Sequence, residues 1–373
     1  MGLSCIYSEG NEGETKKQLT TMPEPCESLE PLDCVVNSMA VKSAVCSLAE
    51  LLATPMNNRS NKYSRDGFRA LQHFHTITCS TFGNSIMSRT LQRVVARSGS
   101  GNSFLTHMAL ALSWAHQRHL YHLNNATNET SGVEEAHHWQ QGLHLYQAEI
   151  LRLMKLSPAK KCYTDDLIAA TFLTVMYTFA LGNGLPLIHD LAGEAYGFAP
   201  VAATRGFQAL RIHLRGLQDH SSWLAAITAT GDYLYQSETR ELPRAFALLC
   251  ELNDYSTAET SPYYDLVLHL GLLLRLEWSP DNMSNLFSFS GRLWAQVAPL
   301  IQVKDSRALL IMSWWFALLR QIDQWWVRES AMQACMAIVH HLSPSPEPLV
   351  QRLLEYPASF GEANCAWIWD YEG

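Results

Sequence analysis

From Arg65 to the C-terminus, apolar residues recur at intervals of three and four, and convincing alternation of apolar and polar residues is absent. This spacing matches the turn of an α-helix and not the two-residue period of a strand. We therefore predict an all-α fold, an irregular helical bundle of about ten to thirteen helices. The longest helical pattern begins near Asp305, has its favoured internal break near Trp326, and is stopped by the prolines after Leu342.

Residues 1–64 differ from this helical body in composition. The first 34 residues carry seven acidic side chains against two lysines, and few aromatic residues occur between positions 8 and 64. Such a segment buries too little apolar surface to become fully ordered. We expect a partly disordered N-terminal arm over 1–64, with one short helix at 35–52, followed by a helical domain over 65–373.

The charge balance and the cysteine content limit the functions open to this chain. The 27 lysines and arginines are outnumbered by 35 acidic residues, and the net charge of −8 argues against a general phosphate-binding surface. Nine scattered cysteines without a C-x-x-C pair are typical of a reducing compartment. The longest apolar stretch, 167–181, is shorter than the ~20 residues of a transmembrane helix, so no membrane span is predicted.

Three short patterns resemble parts of catalytic metal sites, and each lacks essential ligands. Residues 253–257 resemble the start of the magnesium motif of terpene cyclases, but Ser261 stands where glutamate is required. The E-x-x-H spacings within 134–138 have no second copy for a di-iron site, and we expect them to form a solvated first turn of a helix. His189 and Asp190 supply only two ligands of a helical phosphohydrolase site. No catalytic or metal-binding residue is therefore assigned.

Fifteen histidines are many for 373 residues. Most of them occur singly at helical positions, among them His73, His107 and His213. We predict that these are surface or helix-end residues.

A group of bulky aromatic residues lies within the longest helical pattern. It consists of Trp314, Trp315, Phe316, Trp325 and Trp326. Ordinary core packing explains such a group, because one turn of a buried helix often contributes several rings. The functional alternative is that these residues form one wall of a pocket for an apolar ligand. The sequence alone leaves both interpretations open.

Several segments resemble fungal transcription factors. Residues 1–7 (MGLSCIY) look like the end of a binuclear zinc-cluster domain, with Cys5 at the position of its sixth cysteine. Residues 71–76 (LQHFHT) and 104–116 (FLTHMALALSWAH) resemble the region of the hydrophobic-H-x-x-L-A-L-S-A-x-H helix of these proteins. The same order continues with a tyrosine-containing helix, an apolar helix, the tryptophan doublet at 325–326, and 354–357 (LEYP) in place of a Trp-Pro pair.

In order and spacing over about residues 65–360, the chain resembles the regulatory domain of the sterol-uptake-control type of fungal zinc-cluster regulator. The resemblance implies a nuclear protein that senses a lipophilic, sterol-like molecule and controls metabolic or secondary-metabolite genes. In that family the zinc cluster contacts DNA, and it needs six thiolates, of which only Cys5 is matched here. We therefore expect no cofactor in this chain, zinc only with a longer N-terminus, and no direct DNA contact.

Two explanations of the missing cluster remain open. The chain is a fragment or mis-started reading of a longer regulator, or it acts through partners, namely the transcription machinery or another DNA-binding regulator. Two other functions also remain: a helical metal-dependent enzyme of terpenoid or phosphoester chemistry, and an interaction scaffold without a ligand. Converging acids or histidines in a cavity would favour the enzyme, whereas an apolar cavity would favour a sensor.

Overall fold

The computed structural model describes residues 60–98, 103–123, 129–154, 163–181, 222–223, 241–276, 279 and 283–371. Within these ranges, 77% of the residues are helical and none belongs to a strand, which confirms the all-α prediction. The α-helices of the described part are α1 (Ser60–Thr76), α2 (Ser85–Ser98), α3 (Phe104–Leu123), α4 (Glu129–Met154), α5 (Tyr163–Ala180), α6 (Arg244–Leu249), α7 (Tyr264–Leu274), α8 (Met283–Gln302), α9 (Ser306–Gln321), α10 (Trp325–Leu342) and α11 (Pro348–Ala358). Two short 3-10 helices, Thr78–Thr81 and Ala366–Ile368, complete the described elements.

Some predictions fall on other parts of the chain. The arm helix at 35–52, the helix at 201–217 and Cys5 lie outside the described residues, and the division of the chain at residue 64 stays a prediction. Among the helices that the structure describes, none combines the length and apolar character needed to cross a membrane.

Local sequence explains where several helices begin. At the start of α3, the Ser103 hydroxyl accepts a hydrogen bond from the backbone N–H of Thr106 at 3.2 Å. At the start of α9, the Asp305 carboxylate accepts one from the backbone N–H of Ala308 at 2.8 Å. The predicted break near Trp326 is present, because the extended backbone of residues 322–324 separates α9 from α10.

Two predicted boundaries were wrong. The polar residues of 124–132 predict a loop, but α4 already begins at Glu129, whose acidic side chain suits a helix N-terminus. The apolar spacing from Phe68 to Phe82 predicts one continuous helical face, but the structure interrupts it. α1 ends at Thr76, a 3-10 helix follows, and Gly83 then adopts a φ of +67°, which side-chain-bearing residues rarely take.

Two helices occupy the centre of the described bundle. In α9 every residue from Ala308 to Leu319 is buried, and in α5 the apolar segment that begins at Leu167 is buried on most of its circumference. A helix that is apolar all round must be covered by neighbours on all sides. A buried hydrogen bond joins α10 to the end of α5, since the Ser330 hydroxyl donates to the Phe179 carbonyl at 2.5 Å.

A buried serine tests how far such inter-helix hydrogen bonds stabilise the bundle. The Ser113 hydroxyl of α3 donates to the Ala70 carbonyl of α1 at 2.6 Å, and both residues are fully buried. Ser113→Ala removes the donor, so we expect the free energy of unfolding to fall by about 1–3 kcal/mol in chemical denaturation. The control is Ser80→Ala, whose exposed hydroxyl bonds only to Ile77 in its own turn, with an expected change within about 0.5 kcal/mol. Equal losses in the two variants would contradict the role given to Ser113.

Candidate functional site

The aromatic group divides between α9 and the start of α10. Four of its members, Trp314, Trp315, Phe316 and Trp326, are at most 1% exposed, and Trp325 is half-buried. These residues are the candidate site because the sequence suggested them as one wall of a ligand pocket. Their contacts show what surrounds them.

Trp314 and Trp315 connect α9 to two neighbouring helices. The indole N–H of Trp314 donates to the Leu353 carbonyl of α11 at 2.8 Å, and its ring stacks on Tyr356 with centroids 4.3 Å apart. The indole N–H of Trp315 donates to the Leu286 carbonyl of α8 at 2.9 Å. Because a buried N–H must find an acceptor, these bonds also fix the position of each neighbouring helix along α9.

Trp325 and Trp326 connect α10 to the N-terminal helices. The indole N–H of Trp325 donates to the Thr81 hydroxyl at 3.0 Å, and that of Trp326 donates to the Thr81 carbonyl at 3.3 Å. The Trp325 ring lies flat on His116 of α3, with centroids 4.5 Å apart and planes 10° apart. The Trp326 ring packs among Phe82, Phe179 and Phe287.

All four indole N–H groups of this set therefore have protein acceptors. The described contacts are those of core packing, which is the first of the two interpretations that the sequence left open. That the same residues also form the wall of a ligand pocket stays a prediction.

A histidine cluster lies beside Trp325. His116 shares a hydrogen bond with the Thr78 hydroxyl at 3.1 Å, and the His73 ring is 5.2 Å from the His116 ring. Burial lowers the pKa of His75 to about 4. Burial, together with the neighbouring His73 and His119, lowers the pKa of His116 to about 4. His73 lies in the last turn of α1, as predicted, but it is not the single residue that the sequence suggested.

A second histidine pair joins α3 to α4. The Nδ1 atoms of His107 and His138 are 3.0 Å apart, a distance at which the N–H of one ring donates a hydrogen bond to the unprotonated nitrogen of the other. Burial, with His107 and His137 nearby, lowers the pKa of His138 to about 4, so both rings are suited to a neutral hydrogen bond at neutral pH. His107 lies in the first turn of α3, as predicted for a helix-end residue, but it is paired with His138 and is not single. His213 lies outside the described residues.

Glu135 overturns another expectation. Residues 134–138 were predicted to form a solvated first turn, but Glu135 is only 1% exposed and forms an ion pair with Arg118 of α3. The reason is that α4 begins at Glu129, so Glu135 lies deeper in the helix and faces α3 and α5. The sequence could have indicated the burial of Glu135. It precedes Trp139 by four residues, so the two side chains lie on the same, apolar face of α4.

The environment of Glu135 is polar but dry. Burial raises the pKa of its carboxyl group, against the opposing effects of the Arg118 charge and of hydrogen bonds from Tyr177 and Arg118. Burial and the neighbouring carboxylate also raise the pKa of Tyr177. Trp139 covers this site by stacking on Tyr177, with centroids 3.9 Å apart. The arrangement holds the Glu135 carboxyl inside the bundle, paired with a partly exposed Arg118.

The structure gives no grouping of ligands for the metal hypotheses within its described residues. There, no three or more histidine, cysteine or acidic side chains are placed to hold a metal ion. Residues 253–257 form an exposed turn in which the Asn253 side-chain oxygen accepts a hydrogen bond from the backbone N–H of Tyr255 at 2.9 Å. His189 and Asp190 lie outside the described residues.

Comparisons of the chain with protein-family models, with curated proteins and with solved structures gave no match. The resemblance to fungal regulators therefore depends on the residues quoted for it.

The buried ion pair makes a sharp prediction about stability. Arg118, whose side chain is 32% exposed, balances the buried Glu135, so we expect Arg118→Met to lower the free energy of unfolding by about 1–3 kcal/mol in chemical denaturation at pH 7. The matched control is Arg328→Met, whose exposed pairing with Asp323 at 3.5 Å is expected to contribute less than about 1 kcal/mol. A loss at Arg118 no larger than that at Arg328 would show that the pair does not stabilise the bundle.

The histidines predict a loss of stability in acid. His116 has a pKa of about 4 in the folded chain against an ordinary value of 6.5. Between these values the unfolded chain binds protons that the folded chain excludes, so stability is present at neutral pH and falls as the pH is lowered towards 4. His116→Gln should make the slope of unfolding free energy against pH shallower by up to about 1.4 kcal/mol per pH unit. The exposed His144→Gln should leave the slope unchanged, and equal slopes in all three proteins would refute this assignment.

Proposed function

We propose that this chain is a transcriptional regulator of the fungal zinc-cluster type that acts in the nucleus and reaches DNA through a partner. The partner is another DNA-binding regulator or the transcription machinery, and the controlled genes are metabolic or secondary-metabolite genes. The proposal comes from the resemblance of the helical body to the regulatory domains of such proteins. One structural observation supports it.

The observation is that segments with the resemblance, although far apart in the sequence, share contacts in the core. In the matching helix at 104–116, Ser113 bonds to Ala70, next to the matching segment 71–76. At the end of the same helix, His116 stacks on Trp325 of the tryptophan doublet.

The C-terminal match joins the same core. Residues 354–357 include Tyr356, which stacks on Trp314 and accepts a hydrogen bond from the Gln321 side chain at 2.9 Å. The backbone carbonyl of Pro357 lies 3.4 Å from the sulfur of the buried Cys335. Apolar and aromatic residues pack in the core of any helical protein, so the support from these contacts is limited to showing that the segments belong to one packed body.

The structure gives less support to the enzyme and to the binding of a sterol-like ligand. No specific observation in the described residues favours the alternative of a helical metal-dependent enzyme of terpenoid or phosphoester chemistry, and we do not pursue it. The sterol-like ligand implied by the resemblance stays a prediction, because the contacts of the aromatic group are accounted for by core packing.

The proposal predicts an effect on transcription when the chain is brought to DNA. The full chain, fused to a heterologous DNA-binding domain in fungal cells, should change the output of a reporter gene several-fold relative to that domain alone. Trp314→Ala should abolish the effect, because truncating a buried tryptophan costs about 3–5 kcal/mol of stability. The control Tyr255→Ala, at a side chain that is 89% exposed, should keep it.

The reporter test fails if the chain acts only together with its natural DNA-binding partner, so a second measurement looks for the chain on chromatin. Chromatin crosslinked in cells that express the tagged full chain should yield promoter DNA together with the chain. Reporter output equal to that of the DNA-binding domain alone, with no promoter DNA recovered after crosslinking, would overturn the proposal.

A further inference from the structure

Helix α2 carries a stripe of arginines on its outer face. Arg89, Arg93 and Arg97 follow one another at intervals of four residues, which places them on one side of the helix, and α2 contains no acidic residue. Ile86, which is 45% exposed, precedes them on the same side. The opposite face is buried against the bundle through Met87, Ser88, Thr90, Leu91, Val94 and Val95.

The charges of this stripe are largely unbalanced within the described part of the chain. Arg89 donates its Nε hydrogen to the Ser85 carbonyl at 3.0 Å, and no described carboxylate lies within ion-pair distance of Arg89 or Arg93. Arg97 is near enough to Asp166 to lower the pKa of that carboxyl, although burial raises it overall. The unbalanced charge is therefore greatest at Arg89 and Arg93.

Several other described arginines have partners. Arg275 pairs with Glu241, and Arg307 pairs with Glu251 at 2.5 Å. Arg352 instead covers the face of an aromatic ring, with its guanidinium carbon 4.0 Å from the ring centre of Trp367. Against this background, two neighbouring exposed or half-buried arginines without a carboxylate form a local positive surface on a chain of net charge −8.

We propose that the arginine stripe of α2 binds the acidic segment 9–33 of the same chain. That segment holds all seven acidic residues of the first 34 positions against two lysines, so it has the opposite charge to the stripe. Arginine side chains bind carboxylates with two hydrogen-bond donors each, and several weak pairs along one helix face add to one another. The interaction does not depend on the proposed role in transcription.

The segment is attached at a suitable distance. The Gln92 side chain donates to the His75 carbonyl at 2.7 Å, so the middle of α2 lies beside the end of α1. The start of α1 at Ser60 is then about 23 Å away along the helix axis. With the short helix expected at 35–52 and coil residues on either side of it, the chain between Asp33 and Ser60 has a root-mean-square span of about 30 Å, which is enough to cover this distance. Tethering at such a range gives an effective concentration of the order of millimolar, at which weak charge pairs are occupied.

Nucleic acid is the competing occupant, and the charge distribution disfavours it. Three arginines are a small footprint for binding a phosphate backbone, and the acidic segment of the same molecule competes for them at high local concentration. A second copy of the chain would bring the same acidic segment, but only at the concentration of free protein. The experiment separates these occupants.

The test places a photo-crosslinking residue beside the stripe in the full chain. Ile86→p-benzoylphenylalanine leaves all three arginines intact, and irradiation followed by mass spectrometry identifies what lies over them. We expect crosslinks to residues 9–33 of the same molecule, with a yield that does not change on dilution. The yield should fall at least about fivefold in 1 M NaCl, because exposed charge pairs are screened at that ionic strength.

Charge-reversal variants test whether the arginines themselves are responsible. Arg89→Glu with Arg93→Glu should lower the crosslinking yield at least about fivefold, since two attractive pairs become repulsive. The matched control Arg244→Glu, at an exposed arginine on α6, should leave the yield unchanged. Adding Glu24→Lys, Glu27→Lys and Glu30→Lys to the double variant should restore the crosslinks.

Three results would overturn the proposal: crosslinks to a second copy of the chain or to nucleic acid in place of residues 9–33, a crosslink to 9–33 that is insensitive to salt, or an unchanged yield after charge reversal. The salt series uses the unaltered arginines, so it decides the matter even if a charge-reversed variant fails to fold.

Discussion

The burial of every residue of α9 from Ala308 to Leu319 is the constraint on which the rest of the described structure depends. A helix with no solvated side must be covered by neighbours, and its tryptophans carry N–H groups that cannot be left without acceptors in a dry interior. Trp314 finds its acceptor on α11 and Trp315 on α8, so the same residues supply apolar area and determine how those helices are aligned. Hydrophobic burial alone is non-directional, and the indole hydrogen bonds provide the direction. The arrangement of the C-terminal helices follows from this pair of requirements.

The N-terminal helices are joined by a different kind of contact. Between α1, α3 and α4 the interior contains neutral histidines, a serine hydroxyl and the Arg118–Glu135 pair. Such groups are costly to bury unless each finds a partner, so they select one packing of the helices over others of similar apolar area. Trp325 is the point at which the two kinds of packing meet, because its ring lies on His116 while its helix belongs to the C-terminal group. A change in the packing or protonation of the histidine cluster therefore alters the contact between the N-terminal and C-terminal helices.

The sequence was sufficient for the elements and insufficient for the polar contacts. Helical period gave the fold class, and the break before Trp326 could be placed because Asp323 and Gln324 interrupt the apolar pattern. The pairing of His107 with His138 could not be derived, since it depends on how two helices are rotated against each other and the residues are 31 positions apart. For Glu135 the stripe through Trp139 held the information, but the assumed start of α4 was too late. An error of a few residues at a helix end thus changed a buried ion pair into a solvated turn.

The distribution of charge gives the two proposals a common physical basis. The first 34 residues carry five of the eight net negative charges, so the remainder of the chain is close to neutral and its local arginine stripe stands out. A regulator that reaches DNA through a partner needs a surface that recognises that partner, and charge complementarity governs which surfaces meet first. If the acidic segment covers α2, a partner with an acidic surface of its own must displace it. The strength of that competition depends on the tether length, because the effective concentration of the segment falls as the connecting chain is lengthened. The acidic segment and a partner then compete for the same surface of α2, and the charges of Arg89 and Arg93 determine how strongly each of them binds.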